Sequence, residues 1–328
     1  MRLADMLVFH GPGSGRARRD GLRAGEKLLL LIVLVALVLL ATSGRALAES
    51  QREFATPQEG VDALLAAVQA QDAAALLAVL GPARSWIFSG DRVADRAMWK
   101  RFAEVYKAKH RIDTEGDTAT LLIGEDDYPF AFPLVRSGGA WRFDTAAGRE
   151  QLLARRIGEN ELSAIQVLRA IVDAQREYAS ADRNGDGVVE YATRFLSTRG
   201  KRDGLYWSVK EGEPPSPLGP LIARAAGEGY RKAEEGPTPY HGYQFRMLKG
   251  KGKAGAADGV DFVVRGRAIG GFAVVAYPAR YGNTGIMSFV VGDDGRVLEA
   301  DLGPKSAEIG GKMQRLVLGP QWSEVAVK

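Results

Sequence analysis

The sequence predicts an α+β fold: N-terminal helices and an antiparallel meander, then a long helix packed on a second antiparallel sheet. Three observations predict it. Capped amphipathic segments cluster between residues 56 and 106, and short strand-like segments with turn residues between them follow directly. Leu162, Ile165, Leu168, Ile171, Gln175 and Tyr178 then recur at three- to four-residue spacing, so one face of a long helix lies against something. The resulting division is 1–48 as a leader, 49–145 as a first α+β domain, and 146–328 as a domain of helix, acidic loop and sheet.

The leader comes first. Leu28–Ala41 is an unbroken apolar run of 14 residues, preceded by basic residues and followed by Ala46-Leu47-Ala48, a small-x-small cleavage signal. As a helix it spans roughly 21 Å, short of a ~30 Å hydrocarbon core. It reads as a signal peptide cleaved after Ala48; the alternative is an uncleaved signal anchor. Both place the remainder outside the cytoplasm, periplasmic or extracellular, with 28–41 as its sole membrane segment if retained.

In the first domain, Thr56-Pro57-Gln58-Glu59 is a helix start with a capping Thr, a first-turn Pro and a capping-box Glu. Asp72 caps a second helix, Ala73–Leu80, which Gly81-Pro82 stops. Asp91 caps a third, with Val93, Met98, Phe102, Val105 and Tyr106 on its apolar face. Strands are expected at His110–Thr114, Thr118–Ile123, Phe130–Val135 and Ala140–Phe143, separated by turn residues. Three helices and a curved meander resemble an NTF2-like cone, a fold that often holds a pocket between sheet and helices.

In the second domain, Asp144 or Thr145 caps a helix to Arg156, Gly158-Glu159-Asn160 breaks it, and the long helix starts near Glu161. Leu205-Tyr206-Trp207 and the proline-rich Pro214–Pro220 read as a rigid surface loop, or as a polyproline ligand for a partner's groove. A short helix is expected at Leu218–Gly227. Strands follow at Tyr243–Leu248, Val260–Val264, Phe272–Tyr277, Ile286–Val291 and Val297–Asp301, with a hairpin at Asp293-Asp294-Gly295.

The formal net charge of +4 belongs to the leader, whose seven Lys/Arg and three Asp/Glu account for the whole excess. The rest is balanced, which argues against a nucleic-acid partner. The absence of cysteine removes thiolate nucleophiles, disulfides and Cys-based zinc sites. His110 and His241 are the only histidines beyond the leader, so a multi-His metal centre within one chain is not expected.

The acidic loop is the motif with a specific chemical meaning. Asp182, Asn184 and Asp186 are spaced two apart and Gly187 follows, matching the start of an EF-hand-type calcium loop. Calcium takes about six to eight oxygen ligands. Asp182, Asn184 and Asp186 offer side-chain oxygens, Val188 its carbonyl and Glu190 a further oxygen. The twelfth position is Thr193 rather than Glu, so water or a distant carboxylate would complete the sphere. The same residues also suit a plain Asp/Asn/Gly turn. Glu125-Asp126-Asp127 reads as a solvated hairpin turn. His241, in Pro239-Tyr-His-Gly-Tyr243, and His110 are either structural histidines or the acid–base group of a small-molecule hydrolase. No GxSxG or ordered Ser/His/Asp set occurs, which favours a non-enzymatic binding or assembly module whose partner is an envelope protein or a small ligand.

The segments FDTAAGRE (Phe143–Glu150), GENELSAIQ (Gly158–Gln166), DAQREYA (Asp173–Ala179), DGLYW (Asp203–Trp207), PPSPLGPL (Pro214–Leu221), PYHGYQFR (Pro239–Arg246) and IGGFAVVAYP (Ile269–Pro278), in this order, resemble the bacterial family called domain of unknown function 2950. That resemblance implies an exported envelope protein and supplies no catalytic residues. LRAIVDAQREYA, an Asp/Gly loop, GYQFR and TGIMSFVVGDDGRV are also similar to the soluble part of pilin-like proteins. There a long helix packs on an antiparallel sheet, and some pseudopilins hold calcium in a loop.

Overall fold

The computed structural model describes residues 51–81, 83–183, 185–230, 238–252 and 259–326. The leader and its cleavage signal lie outside the described residues, as do Asn184 and residues 253–258. The chain is mixed α+β, with N-terminal helices, antiparallel sheets and one long helix.

Helix α1 (Pro57–Gln69) starts where Thr56 Oγ1 accepts the Glu59 N–H at 3.2 Å. The Glu59 carboxylate reaches back to the Ala55 N–H rather than to that of Thr56. Asp72 caps α2 (Ala73–Leu80) by accepting from Ala74 and Ala75 N–H. Gly81, at φ 88°, ends it in the left-handed region that favours glycine. A four-residue helix, α3 (Arg84–Ile87), was not expected. Asp91 caps α4 (Arg92–Ala108).

The first sheet runs β1 (His110–Glu115), β2 (Thr118–Ile123), β4 (Leu134–Ser137), β5 (Ala140–Phe143), with β3 (Tyr128–Pro129) also on β2, all antiparallel. Of the strand expected at Phe130–Val135 only Leu134 and Val135 are strand, as the start of β4; β3 ends just before it. Pro133 has no N–H for a ladder, and Phe132 is buried in the helix–sheet core.

Helix α5 (Arg149–Tyr178) is continuous for 30 residues. The break expected at Gly158–Asn160 is absent. A mid-helix glycine costs only about 1 kcal/mol, and tertiary bonds hold the backbone on both sides of it. Arg156 donates to Trp86 and Ile87 carbonyls, and Asn160 donates to the Thr284 carbonyl. Asp144 accepts from Ala147 N–H in the turn ahead of the helix, while Thr145 donates to the Leu80 carbonyl. Gly148 leads in because a Cβ there would strike the Ala131 carbonyl.

After α6 (Gly219–Glu228) comes a five-stranded antiparallel sheet. Its order is β13 (Ser323–Glu324), β11 (Val297–Asp301), β10 (Met287–Gly292), β9 (Ala273–Pro278), β6 (Tyr243–Met247). The β10–β11 hairpin turns at Asp293–Gly295 as expected. Strand β9 is buried at every position. Val274 and Ala276 pack under α5 on one face; Ala273, Val275 and Tyr277 pack on the other with Phe262 and Leu316. That second face is covered partly by β7 (Gly250–Gly252), β8 (Gly259–Asp261) and β12 (Arg315–Val317). Residues Gly250–Gly252 pair with Gly259–Asp261 in an antiparallel ladder. Helix α7 (Ser306–Lys312) was also unexpected; its Gly310 seats directly against the Tyr277 ring.

The described residues all belong to one compact unit. The segment from Ser85 to Asp91, the end of α3 and the loop after it, is its joint. Arg280 donates to the Ser85 and Phe88 carbonyls, and Asn283 Nδ2 donates to the Ser85 carbonyl at 2.8 Å.

Candidate functional site

A cleft of about 950 Å³ opens between the first helices and the first sheet. Its apolar wall includes Leu64 and Val68 of α1, Trp99 and Phe102 of α4, and Phe130. The helices present these residues together because Leu64 and Val68 stand four apart and Trp99 and Phe102 three apart, on one face of each helix. Phe102 and Phe132 both pack on Phe130, with centroids 5.2 Å apart in each pair. The other wall comes from the second half of the chain: Arg155, Arg156 and Asn160 of α5, and the His241-Gly242 turn. Large apolar pockets with a few convergent polar groups are where small molecules bind.

The polar end of the cleft is held rigidly. Arg156 is buried and donates to Trp86 O at 2.7 Å, Ile87 O at 2.6 Å and Asn283 Oδ1 at 2.8 Å. Asp95 accepts from the Ser89 N–H through both oxygens. Burial raises the Asp95 carboxyl above its ordinary value, with Ser89 and the Arg156 charge opposing that rise. Burial lowers Arg156, and Asp95 opposes it. Asp91, already the α4 cap, also accepts from Tyr230 Oη at 2.8 Å and the Gly242 N–H at 3.2 Å. Burial first, and the Asp91 charge second, push the Tyr230 phenol well up.

His241 sits on this cleft. Tyr240 and Tyr243 exchange two backbone hydrogen bonds, closing a two-residue turn whose central residues, His241 and Gly242, have φ 47° and 72°. Two positive φ values are what such tight hairpins require. His241 Nε2 lies 3.1 Å from Glu228 at the end of α6, and the ring sits between Tyr230 and Tyr240. His110 is elsewhere. It stacks on Tyr106 with centroids 3.8 Å apart, its Nδ1 is 2.9 Å from the Tyr106 carbonyl, and it does not line the cleft. Glu125–Asp127 forms the expected turn, where Asp127 meets Lys109 at 3.2 Å and Arg111 at 3.4 Å.

The acidic loop follows α5. Asp182 accepts from Gly185, Asp186 and Gly187 N–H, curling the loop around one carboxylate. Asp186 accepts from Val188 N–H at 3.0 Å and meets Arg267 at 3.1 Å. Glu190 is buried and accepts the Ala268 N–H at 2.9 Å. Asn184 lies outside the described residues, and among them no group of three or more His, Asp and Glu is arranged for a metal.

Sequence reasoning missed Arg155, Arg156, Asp95 and Glu228. A signal existed for one of them. Arg156 and Asn160 stand four apart in line with Ala164 and Leu168 on the buried stripe of α5. Polar residues on a core stripe must find buried partners.

The model of one family, described as protein of unknown function (DUF2950), matches residues 51–325. No curated protein matches the chain, and no solved structure does.

Proposed function

This chain belongs to the DUF2950 family, and on that premise we propose that it is an exported cell-envelope protein acting as a non-enzymatic binding module. Its ligand is a small apolar molecule taken into the cleft. The observation that carries the reading is the cleft itself: about 950 Å³, apolar along α1 and α4, with its polar end preorganised by Arg156, Asp91 and Asp95. Export rests on Leu28–Ala41 and Ala46-Leu47-Ala48 in the sequence. An NTF2-like first half accords with helices facing a meander across a cleft, and a pilin-like second half with α5 lying on an antiparallel sheet.

The test is uptake of the neutral apolar fluorophore N-phenyl-1-naphthylamine, read by its emission and by energy transfer from tryptophan. The wild-type protein should bind it saturably. Ala94→Trp, which places bulk on the cleft wall, should abolish binding without lowering the thermal midpoint. A wild-type protein that leaves the dye dark would sink the reading.

Within the same proposal, Asp182, Asn184, Asp186, Val188 and Glu190 hold calcium structurally; the curl of the loop around Asp182 supports this. A calcium-dependent rise in thermal midpoint tests it. A second reading, hydrolysis in the cleft, is favoured by His241 facing the cleft with Glu228 as partner. Release of p-nitrophenol from apolar esters, lost in His241→Asn, would establish that reading in place of simple binding.

A further inference from the structure

We infer that the ligand of the cleft is an apolar molecule bearing one carboxylate, and that Arg155 is the residue that holds it. The inference rests on the cleft being a binding site. Two consecutive arginines of α5 line the cleft, and they differ sharply. Arg156 places three of its five N–H donors on two backbone carbonyls and Asn283. Arg155 has no ion pair among the described residues. Its Nη2 is shut away from water and has no hydrogen-bond acceptor. A dry guanidinium N–H without an acceptor is costly, and native structures rarely leave one so.

The position of Arg155 suits it to hold a ligand. Its guanidinium lies over the ring of Tyr128, 4.3 Å from the centroid. Stacking on Tyr128 fixes the plane of the group, and a carboxylate that comes into contact with it gives the dry Nη2 the acceptor it lacks. Tyr128 is 47% exposed, so this pair stands at the rim of the cleft, and the apolar residues Trp99, Phe102 and Phe130 lie on its walls. A head group at the rim and an apolar tail inside fit both environments. The charge lining the cleft is also biased: Arg101, Arg155 and Arg156 against Asp95 and Glu159. Asp95 is committed to Ser89 and faces the charge of Arg156, Arg101 is exposed to solvent, and Arg155 is the cation with a closed-off N–H to be matched. One such cation selects one negative charge.

The experiment compares decanoate with decanol, which share a tail and differ in the head group. Binding to the purified full-length protein is followed by tryptophan emission and by displacement of N-phenyl-1-naphthylamine. Wild type should bind decanoate about tenfold or more tightly than decanol, the scale of a charge-assisted hydrogen bond. Arg155→Met keeps the apolar stem and should erase that preference while leaving decanol affinity unchanged. Arg155→Lys should keep part of it. Equal affinities in wild type, or a preference that survives Arg155→Met, would overturn the assignment and leave an apolar cleft. Loss of both ligands in Arg155→Met would also overturn it, because the residue would then be shaping the wall. Failure of wild type to take up either ligand would overturn the cleft reading itself.

Discussion

Asp186 carries competing demands on one carboxylate. Its Oδ1 takes the Val188 N–H, and its Oδ2 faces Arg267. Calcium in this loop would compete with the guanidinium for the same oxygen, since both are cations seeking carboxylate lone pairs. That competition separates a calcium loop from a plain turn. In Arg267→Met the competitor is gone and the loop carboxylates remain, so the calcium-dependent rise in thermal midpoint should appear at lower calcium than in wild type. Asp186→Ala should abolish it. A metal that binds only the folded state stabilises by about 2.7 kcal/mol at 100 times its dissociation constant. A midpoint indifferent to millimolar calcium in wild type and in Arg267→Met would reduce the loop to a turn. At this scale the sequence was partly legible. The spacing of Asp182 and Asp186 could be read, because ligand spacing within a loop is local. Arg267, Ala268 and, for His241, Glu228 could not, because the fold brings them from other segments.

The same contrast recurs among elements. The caps at Thr56, Asp72 and Asp91 were all readable, because a cap is a bond between residues two or three apart. The continuity of α5 was not, because it is settled by distant groups gripping Arg156 and Asn160. Gly158 therefore stands in a helix that forms in spite of it. A Cβ built there meets nothing within 4 Å, and its φ is not in the left-handed region. Gly158→Ala should thus raise stability by about 1 kcal/mol, through helix propensity and a less disordered unfolded chain. The urea midpoint measures it. A lower midpoint would mean that α5 needs flexibility at Gly158, and that the segments before and after it are separate helices in solution. α7 was hidden for a related reason: Gly310-Gly311 reads as a breaker, yet Gly310 is there to let the helix touch Tyr277.

At the scale of the molecule, the cleft takes its walls from both sides of the boundary drawn near Thr145, so the site exists only while the two halves are joined. The joint is polar and centred on Arg156. Its three donors fix the Trp86–Ile87 backbone to Asn283, and Arg280 and Asn283 add bonds to the Ser85 and Phe88 carbonyls. Buried bonds of this kind link the cores of the two halves into one cooperative system. The wild-type protein should therefore unfold in a single transition. Arg156→Met fills similar space but leaves the Ile87 carbonyl without its guanidinium donor and Asp95 without its opposing charge. The cost expected for breaking such a buried charge network is about 3–5 kcal/mol. It should fall on the joint more than on either core, because the core of α1–α4 and the core under α5 do not include Arg156. In single-tryptophan variants, emission from Trp99 in the first half should then change at a different urea concentration from emission of Trp207 in the second. Coincident transitions with an unchanged midpoint would show that apolar contacts, not this guanidinium, hold the halves together. The cleft would then not depend on Arg156 for its shape.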